Sequence, residues 1–261
     1  MFDKTKQMEL GDLFSNTFNL FKETFSRNIV IALVFFIPSG ILMAYGFDSF
    51  FSTMMESVRK AAEHKYDYEY TNPDFDFISV ISSISIYFLS ILIFFLGYMA
   101  VMIGITRICY RAAEGERISL GEAFNKIFSV IFLRSIGQSL LLSLALSACV
   151  FAGIVLILIG SSADIVPITV IGVFALIGGI VLIIYLVFRW YFAFVAIAGE
   201  DKKVIESFGK SSFLVEGKWW RTFGIVILFS ILIDFAISII STPVYFIAMW
   251  DFILQYFRMI A

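Results

Sequence analysis

The chain has 261 residues, of which 60% are apolar and only 15% are Asp, Glu, Lys or Arg, well below the about 25% charge of an average soluble domain. A net charge of −2 without a sustained basic block excludes nucleic acid as a partner, and uniform apolar runs exclude an outer-membrane barrel built of short alternating strands. Cys109 and Cys149 are too few for a disulfide framework and read as reduced packing residues.

In chain order, residues 28–47, 77–106, 135–163 and 165–188 contain no Asp, Glu, Lys or Arg, and 222–250 contains only Asp234. Each run reaches the ~20 residues that cross a hydrocarbon core, so the sequence predicts an all-α integral membrane protein with five transmembrane helices. After an expected break at Ser241-Thr242-Pro243, residues 244–257 remain as a short sixth C-terminal element. At ~1.5 Å per residue such a stretch rises ~21 Å, short of a ~30 Å core.

Ahead of each outward-going span lies a similar stretch: Leu10-Gly11-Asp12-Leu13-Phe14, Leu120-Gly121-Glu122-Ala123-Phe124 and Val204-Ile205-Glu206-Ser207-Phe208. Each sets an acid two residues before Phe and opens an amphipathic pattern. In the first, Leu10, Phe14, Phe18, Phe21 and Phe25 fall at helical spacing, and in the second Leu120, Phe124, Ile127, Phe128 and Ile131 do so. Such helices are expected to lie in the membrane interface, with the acid suited to the positive end of the helix dipole. Thr106-Arg107-Ile108 and Phe188-Arg189-Trp190 are expected to close the inward spans. The repeat divides one membrane domain into three hairpins, each preceded by an interfacial helix: 1–106, which carries an outer insertion at 48–76, then 107–188, then 189–261.

Lys and Arg set the orientation. They gather in the tail before residue 28, in 107–134 and in 189–221, while 161–166 has none and 48–76 has three against seven acids. By the positive-inside rule the N-terminus and both basic segments are cytoplasmic, and a multi-pass protein of the bacterial cytoplasmic membrane is expected. In the outer insertion, Phe50, Phe51, Met54, Met55, Val58, Ala61 and Ala62 lie near helical spacing, which predicts a helix on the outer surface. The acidic 66–76 stretch then returns the chain to the second span.

The Leu-Gly-Asp-x-Phe start and the ending Glu216-Gly217-Lys218-Trp219-Trp220-Arg221-x-Phe223-Gly224 resemble the family named after the membrane domain of glycerophosphoryl diester phosphodiesterases. That resemblance runs over most of the chain and implies six spans in bacterial and archaeal proteins of mostly unassigned function. It implies no hydrolase, because the hydrolase of that name is a separate soluble barrel.

Chemistry-bearing sets are few. His64, the sole histidine, sits among acids of the outer insertion, so no Ser/His nucleophile is set within the spans. His64 with Asp67 and Glu69 is a weak metal pattern, and no metal or cofactor is expected. Asp234 is the charge at depth and a candidate polar site. Ser135, Ser139, Ser143 and Ser147 recur every four residues along the third span, where small faces let helices approach. Gly172, Gly178 and Gly179 read the same way in the fourth. Arg107, Arg189, Trp190, Lys218, Trp219, Trp220 and Arg221 form an aromatic and basic girdle suited to lipid headgroups or a partner at the inner face.

The reading these features favour is a non-enzymatic inner-membrane protein that organises lipid, docks another membrane protein or self-associates. The alternative is a small transporter or lipid translocator using Asp234 with Ser139, Ser143 and Ser147.

Overall fold

The computed structural model describes residues 9–64 and 77–260, with 243–260 described by backbone alone. The acidic 66–76 stretch, including Asp67 and Glu69, lies outside the described residues. The described residues form eight helices: α1 (Leu10–His64), α2 (Phe77–Ala113), α3 (Leu120–Ile127), α4 (Val130–Ser162), α5 (Val166–Arg189), α6 (Ala193–Glu200), α7 (Val204–Val215) and α8 (Trp219–Ile260). Five stretches are long and apolar enough to cross a membrane, at Gly11–Lys60, Phe77–Ala113, Val130–Ser162, Val166–Glu200 and Trp219–Ile239. Their apolar side chains face outward, Ile78 being 80% and Phe174 70% exposed, as suits a lipid solvent.

Contacts divide the chain into two compact units that cut across the repeat boundaries. One comprises residues up to Ala145 with Ala193–Phe208, the other Leu146–Phe192 with the residues from Gly209 on.

In the first unit α1 and α2 run antiparallel with small residues at each close approach. A Cβ built on Gly46 would collide with Ser90, one on Gly97 would lie 2.9 Å from Ser39 Oγ, and one on Gly104 2.9 Å from Ile31. Successive contact positions, 39 and 46 on α1 and 90, 97 and 104 on α2, are seven apart. That is the spacing at which two slightly inclined helices keep one seam in contact. Ile31, Ile103, Ile108, Ile127, Ile131, Ile197 and Ala198 form the core of this unit.

In the second unit the 146–162 part of α4 and α5 also run antiparallel. Cβ atoms on Gly153, Gly160 and Gly172 would come within 2.7 Å of the backbone of Leu176, Thr169 and Ile157 respectively, and one on Gly179 would collide with the Cys149 carbonyl. Gly172 and Gly179 therefore do the packing expected of them. Gly178 does not, having nothing within 4 Å.

Several expectations are corrected. The Phe14–Phe25 stripe is no separate interfacial helix, because α1 continues through it, through 28–47 and on to His64. Pro38 removes one rung but does not end the helix, and the Ser39 hydroxyl donates to the Phe35 carbonyl at 2.6 Å. The break expected at 241–243 is likewise absent, and no separate sixth element follows it. Here α8 runs unbroken past Pro243, and Thr242 Oγ1 donates to the Ser238 carbonyl at 2.6 Å. The second span does not close at Arg107, since α2 extends to Ala113.

The acids of the repeat do fall in first helical turns, Asp12 in α1, Glu122 in α3 and Glu206 in α7. Ser119 caps α3 by accepting from the Glu122 amide at 3.2 Å. The α3 stripe packs inward rather than toward an interface: Ile127 and Ile131 are buried, with Leu120 and Phe124 against the same core. Phe128 remains exposed. The outer segment is helical to His64, but as the uninterrupted continuation of α1 and not as the separate surface helix expected, with Phe50 stacked on Tyr87 at 5.1 Å.

Candidate functional site

Two polar assemblies stand out, one in each unit. The first is built on Arg107 of α2, which is 2% exposed. Its guanidinium forks onto Asp201, Nη1 donating to Oδ1 at 2.7 Å and Nη2 to Oδ2 at 3.2 Å, and Nη1 also donates to the Ala198 carbonyl at 3.1 Å. Arg134 Nη1 donates to the Asp201 carbonyl at 2.8 Å, and Lys126 Nζ lies 3.6 Å from Oδ2.

Asp201 directly follows α6 and takes a left-handed φ of 59°, a conformation that Asp tolerates better than most residues. Helix termination and ion pairing thus fall on one residue. Burial alone pushes the Asp201 carboxyl up, but hydrogen bonds and charge from Arg107, joined by Lys126, hold it below the ordinary carboxylate range. Arg107 is therefore an internal clamp and not a surface contact for headgroups. Nearby in sequence, the Ser135 hydroxyl is fully buried without a partner.

A smaller polar contact in the same unit joins α1 to α2. Asn28 Nδ2 donates to Thr24 Oγ1 at 3.1 Å and to Cys109 Sγ at 3.5 Å. Cys109 thus accepts a hydrogen bond in a packed contact.

In the second unit, α5, the turn after α7 and the start of α8 enclose a pocket of about 160 Å³ lined by Tyr185, Arg189, Ser212, Val215, Glu216, Gly217 and Trp219. Arg189 ends the charge-free α5. Its Nε donates to Ser212 Oγ at 3.3 Å and its Nη1 to the Tyr185 hydroxyl at 2.8 Å. Buried Ser211 ties α7 to this end of α5, donating to the Arg189 carbonyl at 2.9 Å and accepting from the Phe192 amide at 3.1 Å.

Gly217, at φ +70°, makes the left-handed turn that stops α7, and Trp219 then opens α8. The Trp219 indole donates to the Tyr185 carbonyl at 3.2 Å and stacks on Tyr185 and Phe223 at 6.0 and 5.2 Å. Arg189 and Trp219 of the expected girdle thus share one pocket. Lys218, Trp220 and Arg221 are exposed beside it, Trp220 to 77%, and Trp190 caps the end of α5.

The residues proposed for transport are dispersed. Ser139 faces the Met99 sulfur at 4.0 Å within the first unit, Ser143 and Ser147 are exposed, and Asp234 is exposed on α8 in the second unit. Among the described residues no group of three His, Cys, Asp or Glu could hold a metal ion. Glu216 and Gly217 precede the basic-aromatic girdle directly, but periodicity and charge pattern assign them no role. The signal was an acid, a glycine and a basic-aromatic run at one helix-to-helix turn.

Helical architecture with five such apolar stretches is compatible with the class of multi-pass membrane proteins. A family model described as a domain of unknown function, DUF7847, matches residues 21–258, and the chain belongs to that family. That match does not show the family named for glycerophosphoryl diester phosphodiesterases. No curated protein and no solved structure matches the chain.

Proposed function

We propose that the chain is a non-enzymatic, multi-pass protein of the bacterial cytoplasmic membrane, N-terminus inside, that organises lipid by holding a phospholipid headgroup at the inner face. The observation that carries this reading is the Arg189 pocket. A guanidinium fixed by Tyr185 and Ser212 stands where the charge-free α5 ends. At that level phosphates meet the hydrocarbon boundary, and Arg is suited to grip them. The flanking Lys218, Trp220 and Arg221 are exposed, as interfacial anchors are.

Phospholipid retained through detergent purification, quantified by mass spectrometry, tests this. The wild-type protein is expected to hold about one phospholipid that Arg189→Gln loses while its melting temperature is kept. Equal retention by Arg189→Gln, or retained lipid that merely mirrors the bulk membrane, would remove the pocket from the function. Activity of Asp234 in transport would show as a loss of flux in Asp234→Asn proteoliposomes, and the reading above expects no such loss.

A further inference from the structure

The pocket offers more than a cation. Glu216 lines the same 160 Å³ as Arg189, yet no ion pair joins the two among the described residues. Opposite charges therefore line one pocket without pairing to each other. Trp219 begins α8, whose first amides favour an anion. The Ser212 and Val215 carbonyls at the end of α7 already accept from the Glu216 and Lys218 amides, so a cation is left to Glu216.

From this we infer that the pocket selects a zwitterion, an aminoethyl phosphate group: the phosphate on Arg189 Nη2 and the start of α8, the primary ammonium on Glu216. The inference rests on the headgroup reading above and specifies which headgroup.

Size and aromatic geometry narrow the choice further. At about 160 Å³ the pocket is smaller than the ~300–1,000 Å³ of ordinary small-molecule sites, which suits a headgroup. A quaternary ammonium needs free aromatic faces. Here Trp219 is already stacked on Tyr185 and Phe223, and Tyr185 carries the Arg189 guanidinium at 5.7 Å. Recognition then falls to N–H donation into the Glu216 carboxylate, which a primary ammonium provides and a trimethylammonium does not. A headgroup with phosphate alone, such as glycerol phosphate, would leave Glu216 repelling it.

The test offers full-length protein in detergent an equimolar mixture of phosphatidylethanolamine, phosphatidylglycerol and phosphatidylcholine with identical acyl chains, and reads bound lipid by native mass spectrometry. The wild type is expected to retain phosphatidylethanolamine over both others. Glu216→Gln is expected to lower that preference about tenfold, the worth of one charge-assisted hydrogen bond, and Glu216→Lys to turn it toward phosphatidylglycerol. Glu216 is exposed, and melting temperatures check the fold. Binding of soluble O-phosphoethanolamine with no lipid retained would keep the chemistry and move its source from bilayer to solution. Retention of phosphatidylglycerol or phosphatidylcholine as well as phosphatidylethanolamine, or an unchanged preference in Glu216→Gln, would overturn the zwitterion while leaving lipid binding intact. Binding of none of the four probes would overturn both.

Discussion

Asp201 and Arg107 are unequal partners, since the Arg107 side chain is 3% exposed and that of Asp201 39%. Removing the carboxylate strands a buried guanidinium with only the Ala198 carbonyl, whereas removing the guanidinium leaves a carboxylate that still has Lys126 and solvent. Asp201→Ala is therefore expected to cost about 3–5 kcal/mol, in the range for breaking a buried pair, and Arg107→Met less. Thermal unfolding in detergent checks the order. Because the folded carboxyl titrates below its ordinary value, its contribution to stability is present above the unfolded pKa of ~3.9. It is lost as pH falls through that value to the folded one. The melting temperature should stay level from neutral pH to about pH 5 and drop below about pH 4, with a shallower drop in Asp201→Ala. A matching slope in both proteins would show that the pair is not the acid-sensitive element. The sequence marks Arg107 as a basic residue at a span end, but gives no sign that its partner lies beyond two more spans. Only the packing of α6 on α2 brings them together.

Among the elements, the antiparallel contacts rest on glycine and serine seams at seven-residue intervals. Gly179 and Gly178 are adjacent and differ in what they meet. A Cβ on Gly179 strikes the Cys149 carbonyl, a backbone atom that cannot swing aside, while one on Gly178 meets nothing within 4 Å. Gly179→Ala is expected to destabilise by about 1–3 kcal/mol through overpacking. Gly178→Ala should be neutral or stabilising by up to ~1 kcal/mol from helix propensity. Denaturant titration of the two variants in one detergent decides it, and equal effects would mean that the α4–α5 seam is not the contact seen here. The pairs 39/46, 90/97, 153/160 and 172/179 were visible as a spacing of small residues. Of these, Gly172 and Gly179 carry the packing that the sequence predicts, whereas only Ser135 of the four-residue serine stripe is fully buried.

At the scale of the whole molecule, α1 rises about 80 Å at ~1.5 Å per residue, far beyond a ~30 Å core, so part of it must leave the hydrocarbon. Labelling single cysteines at 51 to 60 with a membrane-impermeant reagent tests where. With the N-terminus inside, these positions are expected to react from outside the cell, with helical periodicity and the least reaction on the Phe51, Met54, Met55 and Val58 side. A cysteine at Lys203 should react only after permeabilisation. Reaction of both from outside would reverse or abolish the proposed topology.

Hydrophobicity alone determined that the chain is a bundle of apolar helices, because a lipid solvent leaves the backbone no other way to satisfy its hydrogen bonds than within each span. Periodicity determined the helical outer segment, and the recurring acids marked three helix starts. Tertiary structure decided where those helices end. The sequence expected a separate interfacial helix before residue 28 and a break at 241–243, but α1 and α8 run through both, each Pro removing a single rung of a long helical ladder. Tertiary structure also decided which charges are internal. Arg107 and Arg189 each follow a charge-free run of the sequence, yet Asp201 closes around one while the α7–α8 turn leaves a pocket beside the other. That difference depends on residues far apart in the chain, which composition and local spacing do not encode.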